Sequence, residues 1–361
     1  MAMLLNLPSF LGPDVSTAAA APDAFWLGAN VPWNQFGYDI GSAYNASFFD
    51  GAFGAIAAAG ANSARFWMHA DGRATPSFAA DGSVSGPGGA SYADDLQSLA
   101  SLAAKHGLVL ELCLWSFDMC KKDFDKAVLH DDLISDAAKS KSYVDNALVP
   151  YLKALAGAEN VVIEVVNEPE WCMKGSCNTQ KCVEVSEMQR FTAMVAEAVH
   201  AHSSFKVTTG SASLKWSSVA QSGLASYWND TALASAYPSG KGAALDFYNV
   251  HYYDWMYDPS WGYDPCRLKA EAWALDKPTV IAELPASSAH YSAAQLLSCS
   301  SDNGFAGDLF WAYNDASFPL DKAVPAMKDF AAAHKDATSY SALLKWLGAL
   351  GTAAAPPTPR A

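Results

Sequence analysis

Positive charge is scarce in this sequence. Lys and Arg number 23 against 37 Asp and Glu in 361 residues, which gives a formal net charge of −14. No segment of the chain concentrates basic residues. Nucleic acids and anionic membranes bind proteins largely through clustered cations. We therefore expect no nucleic-acid partner and no anionic membrane partner, and a neutral ligand is the natural expectation.

Long apolar runs are also missing. Although 51% of the residues are hydrophobic and only 17% are charged, no run approaches the roughly 20 residues that cross a bilayer as a helix. The segment Met1-Ala2-Met3-Leu4-Leu5-Asn6-Leu7 lacks a charged start. We expect a large buried core and no membrane partner. We interpret the start as that of a chain whose signal peptide has been removed, or of a piece of a longer protein.

Zinc-type cysteine spacing is absent as well. Among the seven cysteines, Cys172, Cys177 and Cys182 lie five residues apart, without the two-residue gaps of a zinc knuckle and without a nearby histidine. Cys113 falls inside an apolar strand and is expected to be a buried thiol. We predict up to three disulfides, as in a secreted protein, with all cysteines reduced in a cytosolic protein as the alternative. The cysteines predicted to pair are Cys120, Cys172, Cys177, Cys182, Cys266 and Cys299.

One disulfide pair is favoured. Cys266 and Cys299 fall on the sixth and seventh predicted helical segments, which are neighbours in a barrel. Two glycosylation triplets, starting at Asn45 and Asn229, also fit secretion.

Eight apolar runs alternate with Ala-rich helical stretches. The predicted strands are about 24–31, 62–67, 108–115, 161–167, 205–210, 246–251, 278–283 and 305–311, and the predicted helices include 93–106, 142–157, 184–202 and 322–334. This alternation predicts an α/β fold, a single (β/α)8 TIM barrel over residues 24–349. Residues 1–23 are predicted to be a flexible extension. Residues 350–361 are predicted to be an Ala/Pro-rich tail or linker, of the kind that tethers a second module.

Two carboxylates stand at strand ends. Glu168 closes the run Val161–Asn167, and Glu283 closes the run that begins at Thr279. Parallel barrels gather their catalytic groups at the carboxyl ends of the strands. A pair of carboxylates on separate strand ends is typical of glycoside hydrolysis, in which one acts as an acid and the other as a base or nucleophile.

Several motifs at these strand ends resemble glycoside hydrolase family 5. They are Asn167-Glu168-Pro169, His251-Tyr252-Tyr253, Glu283 after Val280-Ile281-Ala282, and Trp311 in Phe310-Trp311-Ala312-Tyr313. The stretches Asn62–His69, Thr75–Phe78 and Val250–Trp255 are similar to the endo-β-1,4-mannanase branch of that family. The resemblance covers about residues 24–345 and implies a catalytic barrel.

The resemblance implies roles for individual residues. Glu168 is implied to be the acid/base and Glu283 the nucleophile. Arg65 would hydrogen-bond Glu283 and keep it ionised, Tyr253 would donate to the same carboxylate, and His251 would orient either acid. Asn167 would hold the sugar 2-hydroxyl, a contact that strengthens in the transition state.

Structural roles remain open for some of these residues. Arg65 is also a candidate to neutralise Glu164 or Glu111, which are charged residues within predicted strands. His251 and Tyr253 are alternatively core residues with satisfied hydrogen bonds. A metal site at His200 and His202 is rejected, because residues two apart on a helix point to different faces.

Six of the twelve tryptophans follow strand ends. Indole faces stack on the apolar faces of sugar rings, so these six are candidates to line a polysaccharide cleft, with core packing as the alternative for each. They are Trp33, Trp67, Trp115, Trp171, Trp255 and Trp311. Trp311 is the candidate floor of the −1 subsite. Trp26, Trp273 and Trp346 lie away from strand ends and are predicted to pack in the core.

Together these features predict a retaining endo-β-1,4-mannanase acting on mannan or glucomannan. We expect a secreted monomer without metal or cofactor, with a carbohydrate-binding module as the candidate attachment in a longer protein. An endo-β-1,4-glucanase is the alternative within the family, because mannose and glucose differ only in the orientation of one hydroxyl. Trp115 closes the third strand, where the cellulase branch tends to carry a histidine, and this favours mannan. A non-catalytic carbohydrate-binding barrel is the third alternative, although it would be expected to lack one carboxylate.

Overall fold

The computed structural model describes residues 23–122, 128–218, 226–261 and 263–350. Eight parallel strands close into a barrel, with the first strand paired to both the second and the last. The strands are β1 (Trp26–Asn30), β2 (Ser63–Ala70), β3 (Val109–Ser116), β4 (Val161–Asn167), β5 (Lys206–Ser211), β6 (Tyr248–His251), β7 (Thr279–Pro285) and β8 (Gly307–Trp311). The predicted TIM barrel is confirmed. The predicted flanks 1–23 and 350–361 lie almost entirely outside the described residues.

The strands are buried on both faces. Every residue of β3 and β4 is buried, as expected for parallel strands that have helices outside and packed side chains inside. Charged residues are also buried within the strands, among them Arg65 of β2, Glu111 of β3 and Glu164 of β4. Arg65 contacts both acids.

Helices cover the outside of the barrel. They are α1 (Ala46–Ala58), α2 (Tyr92–Lys105), α3 (Asp131–Ser135), α4 (Ala137–Tyr143), α5 (Val149–Ala154), α6 (Val185–His202), α7 (Asp230–Ala236), α8 (Ala293–Asp302), α9 (Val324–Ala333) and α10 (Tyr340–Ala349). Polar side chains cap the amino ends of several helices. Asn45 accepts a hydrogen bond from the Phe48 N–H at the start of α1, and Ser292 forms a capping box with Gln295 at the start of α8. No helix among the described residues has the length and apolar character needed to cross a membrane.

The predicted helix 142–157 is interrupted. The structure instead has α4, a π-helical turn over Val144–Leu148, and α5. Pro150 lacks an N–H, and its ring crowds the carbonyl four residues earlier, so the regular α-helical ladder cannot pass through this point.

The two ends of the barrel differ in chemistry. At the amino ends of the strands, Trp26, Val109, Val162 and Phe247 form an apolar cluster against Leu343 of α10. At the carboxyl ends, a smaller cluster joins Trp67 and Cys113 to partly exposed aromatic rings. The apolar plug closes the bottom of the barrel, and the polar interior lies between the plug and the open mouth.

The structure contains two disulfides. Cys266–Cys299 joins residues whose Cα atoms are 4.8 Å apart, which confirms the favoured pair, and Cys177–Cys182 closes a loop. Cys113 is a buried thiol as predicted.

The prediction of a third disulfide is wrong. Cys120 and Cys172 are buried free thiols. They face each other through a side-chain hydrogen bond, and the Cys172 thiol donates to the Phe117 carbonyl at 3.2 Å. The structure therefore leaves Cys120 and Cys172 as neighbouring buried thiols.

Candidate active site

A cleft of about 900 Å³ opens at the carboxyl ends of the strands. Both predicted catalytic carboxylates, Glu168 and Glu283, line it. The other residues that line it are Trp33, Phe36, Trp67, Arg73, Phe117, Asp118, Asn167, Trp171, Asn178, Tyr253, Trp255, Trp261, Trp311 and Phe318. Parallel barrels place their reactive groups at this end because the strand ends converge there.

The backbone of Glu168 is left-handed. Its φ of 49° and ψ of 50° are costly for a residue with a side chain. The Glu168 N–H donates to the Gly210 carbonyl at 2.6 Å, and Pro169 begins a single 3-10 turn over Pro169–Cys172. The strand therefore turns sharply at Glu168.

Two donors face the Glu168 carboxyl. Trp171 Nε1 donates to Oε2 at 3.0 Å, and His251 Nδ1 lies 2.9 Å from Oε1. Burial raises the pKa of Glu168 to about 7, against the opposing effect of the Trp171 hydrogen bond. A carboxyl with this pKa still carries its proton near neutral pH and can donate it.

Glu283 has stronger donors. Arg65 Nη1 donates to Oε1 at 2.8 Å, and the Tyr253 hydroxyl donates to Oε2 at 2.6 Å. Burial raises the pKa of Glu283, while Arg65 and the Tyr253 hydrogen bond oppose the rise. A guanidinium and a phenol both stabilise the ionised form, so Glu283 is the carboxylate equipped to stay charged.

Arg65 makes both of the contacts between which the sequence could not choose. Its Nε and Nη2 donate to the two oxygens of Glu164 at 2.5 and 2.7 Å, in addition to the contact with Glu283. It also donates to Asn30 Oδ1 at 2.8 Å and to Asn167 Oδ1 at 2.7 Å. Arg65 thereby fixes the side-chain amide of Asn167, which lines the cleft.

His251 lies between the two acids. Its Nδ1 is 2.9 Å from Glu168 Oε1 and 3.5 Å from Glu283 Oε2. Burial lowers the pKa of His251 to about 4, so the ring is neutral near pH 7 and can donate one N–H without adding a charge.

The same three residues are candidates to hold a metal ion. Within the part of the chain that the structure describes, Glu168, His251 and Glu283 form the one group of three or more side chains whose ligand atoms come close enough, within 4.8 Å of one another. His200, by contrast, hydrogen-bonds the Gly242 carbonyl at 2.7 Å and Asp246 at 2.9 Å. His200 is thus occupied by protein partners.

Aromatic rings form two groups in the cleft. We call Trp33, Phe36, Trp67 and Trp311 the Trp311 group, in which Trp33 and Trp67 lie 6.0 and 5.6 Å from Trp311. We call Trp171, Trp216, Trp255 and Trp261 the Trp171 group, in which neighbouring ring centroids lie 4.5 to 6.5 Å apart. Trp171 contacts Glu168 directly. The acids thus lie between two aromatic surfaces.

Trp115 was predicted to line the cleft, and this prediction is wrong. Its side chain is completely buried, and its ring packs 4.7 Å from His69 and 5.4 Å from Tyr143 of α4. A ring enclosed by these neighbours has no face for a sugar. Trp26 and Trp273 are buried, as predicted.

Relatives identify the class of protein. Over 320 residues the chain is 27% identical to a mannan endo-1,4-beta-mannosidase of Cryptopygus antarcticus, covering 80% of each. It is 26% identical to the enzyme of the same name from Mytilus edulis, covering 81% of the chain and 85% of that relative. No family model matches the chain.

Solved structures of β-mannanases also resemble this chain. The β-mannanase of the blue mussel Mytilus edulis superposes with a TM-score of 0.78 at 25% identity, covering 88% of this chain and 94% of that one. The β-1,4-mannanase of the sea hare Aplysia kurodai gives 0.76 at 25% identity, covering 85% and 92%. The resemblance to the family-5 β-mannanases holds. The chain is a glycoside hydrolase.

Several residues in or next to the cleft of this glycoside hydrolase were not predicted from the sequence. Asn30 ends β1 and binds Arg65, and its position at a strand end was the available signal. Trp216 and Trp261 lie in 3-10 turns of the long loops after β5 and β6, where strand periodicity gives no signal. Asp118 and Phe117 follow β3 in another such turn.

Proposed function

We propose that this glycoside hydrolase is a retaining endo-β-1,4-mannanase that cleaves mannan and glucomannan. The observation that carries the mechanism is the spacing of the two acids: a carboxylate oxygen of Glu168 and one of Glu283 lie within 4.8 Å. Retaining enzymes hold their carboxyl groups about 5–5.5 Å apart, whereas inverting enzymes need about 6.5–9.5 Å to admit a water. The short spacing supports direct attack by one carboxylate.

The donors around each acid support the assignment of roles. Glu283, held by Arg65 and Tyr253, attacks the anomeric carbon as the bond to the leaving oxygen breaks, and Glu168 gives its proton to that oxygen. In the second step, ionised Glu168 takes a proton from water. The resulting hydroxyl attacks the same carbon and releases Glu283.

The two aromatic groups support an endo-acting enzyme. Trp311 lies on one side of the acids and Trp171 and Trp255 on the other, all lining one open cleft. Sugar rings bound on both sides would place the cleaved bond inside a chain. The relatives named mannan endo-1,4-beta-mannosidase favour mannan over the alternative glucan. The two disulfides support secretion, while a monomeric state and an attached carbohydrate-binding module stay predictions.

The azide products of two variants distinguish the role of Glu283 from that of Glu168. In Glu283→Ala the nucleophile is absent, so azide fills its place and attacks an aryl β-mannoside that has a good leaving group, giving the inverted α-azide. In Glu168→Ala the covalent intermediate still forms, and azide captures it as the retained β-azide, since azide needs no general base. Product anomers are measured by NMR.

Controls and substrates complete this experiment. Glu170→Gln changes a buried glutamate bonded to Ser211, Ala212 and Trp228, and it should give no azide product. A β-azide from Glu283→Ala would overturn the role assignment. Parallel reducing-sugar assays on mannan, glucomannan and carboxymethylcellulose decide the substrate, and hydrolysis of carboxymethylcellulose alone would identify the glucanase.

A further inference from the structure

The Arg65 guanidinium lies beneath the cleft among three buried carboxyl groups. Arg65 contacts Glu164 through two nitrogens and Glu283 through a third. Glu111 lies on the far side, with its Oε1 3.9 Å from Arg65 Nε, beyond hydrogen-bonding distance. The side chains of Arg65, Glu111 and Glu164 are completely buried, and that of Glu283 is nearly so.

Three ionised carboxylates around one guanidinium would leave two uncompensated charges in the barrel interior. Buried charge without a partner is costly enough that a group takes up a proton instead. The geometry shows which carboxyl is short of donors. Glu164 receives two N–H groups from Arg65 and the thiol of Cys113 at 3.3 Å. Glu111 accepts from the Asn249 amide at Oε1, and no donor in the described structure reaches its Oε2.

We propose that Glu111 is a neutral acid that donates its proton to Glu164, and that this pair positions Arg65 so that one guanidinium nitrogen remains on Glu283. The role assigned to Glu283 rests on the proposed function. Glu111 does not touch substrate, so it is a positioning residue that acts through Glu164 and Arg65. Glu111 lies close enough to Glu164 for their side chains to interact, and a protonated carboxyl that donates to Glu164 does not need a second donor of its own.

The direction of each pKa agrees with this geometry. Burial raises the pKa of Glu111 well above its usual range, and the neighbouring Glu164 raises it further. Burial opposes ionisation of Glu164 too, but Arg65 outweighs it and the pKa of Glu164 is lowered. Other polar groups beside this cluster are Cys113, a thiol whose pKa burial raises, and His251, which is neutral near pH 7. The amides of Asn30, Asn167 and Asn249 are neutral.

A neutral Glu111 determines the net charge around Arg65 before and after the attack on the sugar. With Glu111 neutral, Arg65 faces ionised Glu164 and Glu283, and one negative charge remains. When Glu283 attacks the anomeric carbon it becomes a neutral ester, and Arg65 with Glu164 is then balanced. An ionised Glu111 would leave excess negative charge in both states and would draw Arg65 away from the nucleophile.

Three variants test the proposal through the acid limb of kcat/KM on mannan, which reports the nucleophile in the free enzyme. Glu111→Leu removes the donor to Glu164, so Glu164 competes harder for Arg65 and the limb should move about one unit to higher pH. Glu164→Gln removes the competing charge and should move the limb to lower pH. Glu111→Gln retains an acceptor for Asn249 and an N–H donor for Glu164, so its limb should lie nearer the wild type than that of Glu111→Leu.

An ionised Glu111 would give a different pattern of shifts. If Glu111 were ionised, both Glu111→Gln and Glu111→Leu would remove a negative charge and move the limb to lower pH. That outcome, or shifts of the same sign in Glu111→Leu and Glu164→Gln, overturns the proposal. If Glu111→Leu fails to fold, Glu111→Gln still decides, because its limb should stay near that of the wild type if Glu111 is neutral and should move to lower pH if Glu111 is ionised.

A measurement without substrate separates this proposal from the proposed function. The carboxyl ¹³C resonance of Glu111, assigned by its loss in Glu111→Gln, should have the shift of a protonated acid at pH 7 in the folded protein. A protonated Glu111 in a protein that does not cleave mannan would refute the function and leave the pair intact. An ionised Glu111 in an active mannanase would refute the pair alone.

Discussion

Trp171 should set the upper pH limit of activity. Its indole N–H donates to Glu168 at 3.0 Å, and this hydrogen bond favours the ionised carboxylate, which cannot act as the acid. Trp171→Phe keeps an aromatic ring and removes the donor. The pKa of Glu168 should therefore rise from about 7, and the protonated, active form should persist to higher pH.

The size of the shift follows from one hydrogen bond. A bond to a charged group contributes about 1.5–3 kcal/mol when its loss leaves the partner unsatisfied, and one pKa unit corresponds to about 1.4 kcal/mol. Trp171 is half-buried at the cleft, so water can replace the lost donor in part. We expect the basic limb of kcat/KM to move up by roughly half a unit to one unit.

The assay is a pH profile of kcat/KM on a soluble mannan. Trp255→Phe is the matched control, because Trp255 lies 6.2 Å from Trp171 in the same aromatic group and its loss leaves the Glu168 hydrogen bond in place. Trp255→Phe should alter KM without moving the basic limb. An unchanged or lowered basic limb in Trp171→Phe would refute the reasoning.

Three further predictions concern the cleft and the disulfides. Trp311→Ala should lower kcat on the order of 100-fold by misplacing the sugar. The free energy of unfolding should fall by less than the roughly 3–5 kcal/mol typical of a buried tryptophan, because Trp311 is only half-buried. Early unfolding of the variant with normal turnover of its folded fraction would show instead that Trp311 belongs to the core. Replacing Cys266 and Cys299 by serine should lower the free energy of unfolding by about 3–4 kcal/mol, since the bond joins residues separated by 33 positions. Denaturant unfolding measures this change, and an unchanged midpoint of the unfolding transition would argue against the bond. Zn²⁺ should inhibit competitively at the acids and His251, with recovery on adding a chelator; inhibition that substrate does not relieve would contradict this.

The strands and the acids were predictable from local pattern. A run such as Val161–Asn167 is apolar almost throughout because a parallel barrel strand is buried on both faces, so the strand could be recognised without its partners. The polar residue that ends such a run emerges at the mouth of the barrel. Glu168 could be placed at the cleft for that reason.

Other features depended on neighbours distant in sequence. Trp115 and Trp311 both stand at strand ends, yet Trp115 is enclosed by His69 and Tyr143 while Trp311 lines the cleft. Position at a strand end does not say which surroundings a side chain will meet. The turn that carries Trp261 is likewise brought to the cleft by the path of a loop, which no periodicity describes.

The amino-acid sequence by itself determined an eight-stranded barrel with two carboxylates at its mouth, because burial and strand period are local properties. The tertiary structure alone decided how Arg65 divides its donors between Glu164 and Glu283, and which cysteines remain thiols. These outcomes depend on distances of a few ångströms between residues about 50 to 220 positions apart, and electrostatic and covalent partners are chosen at that scale.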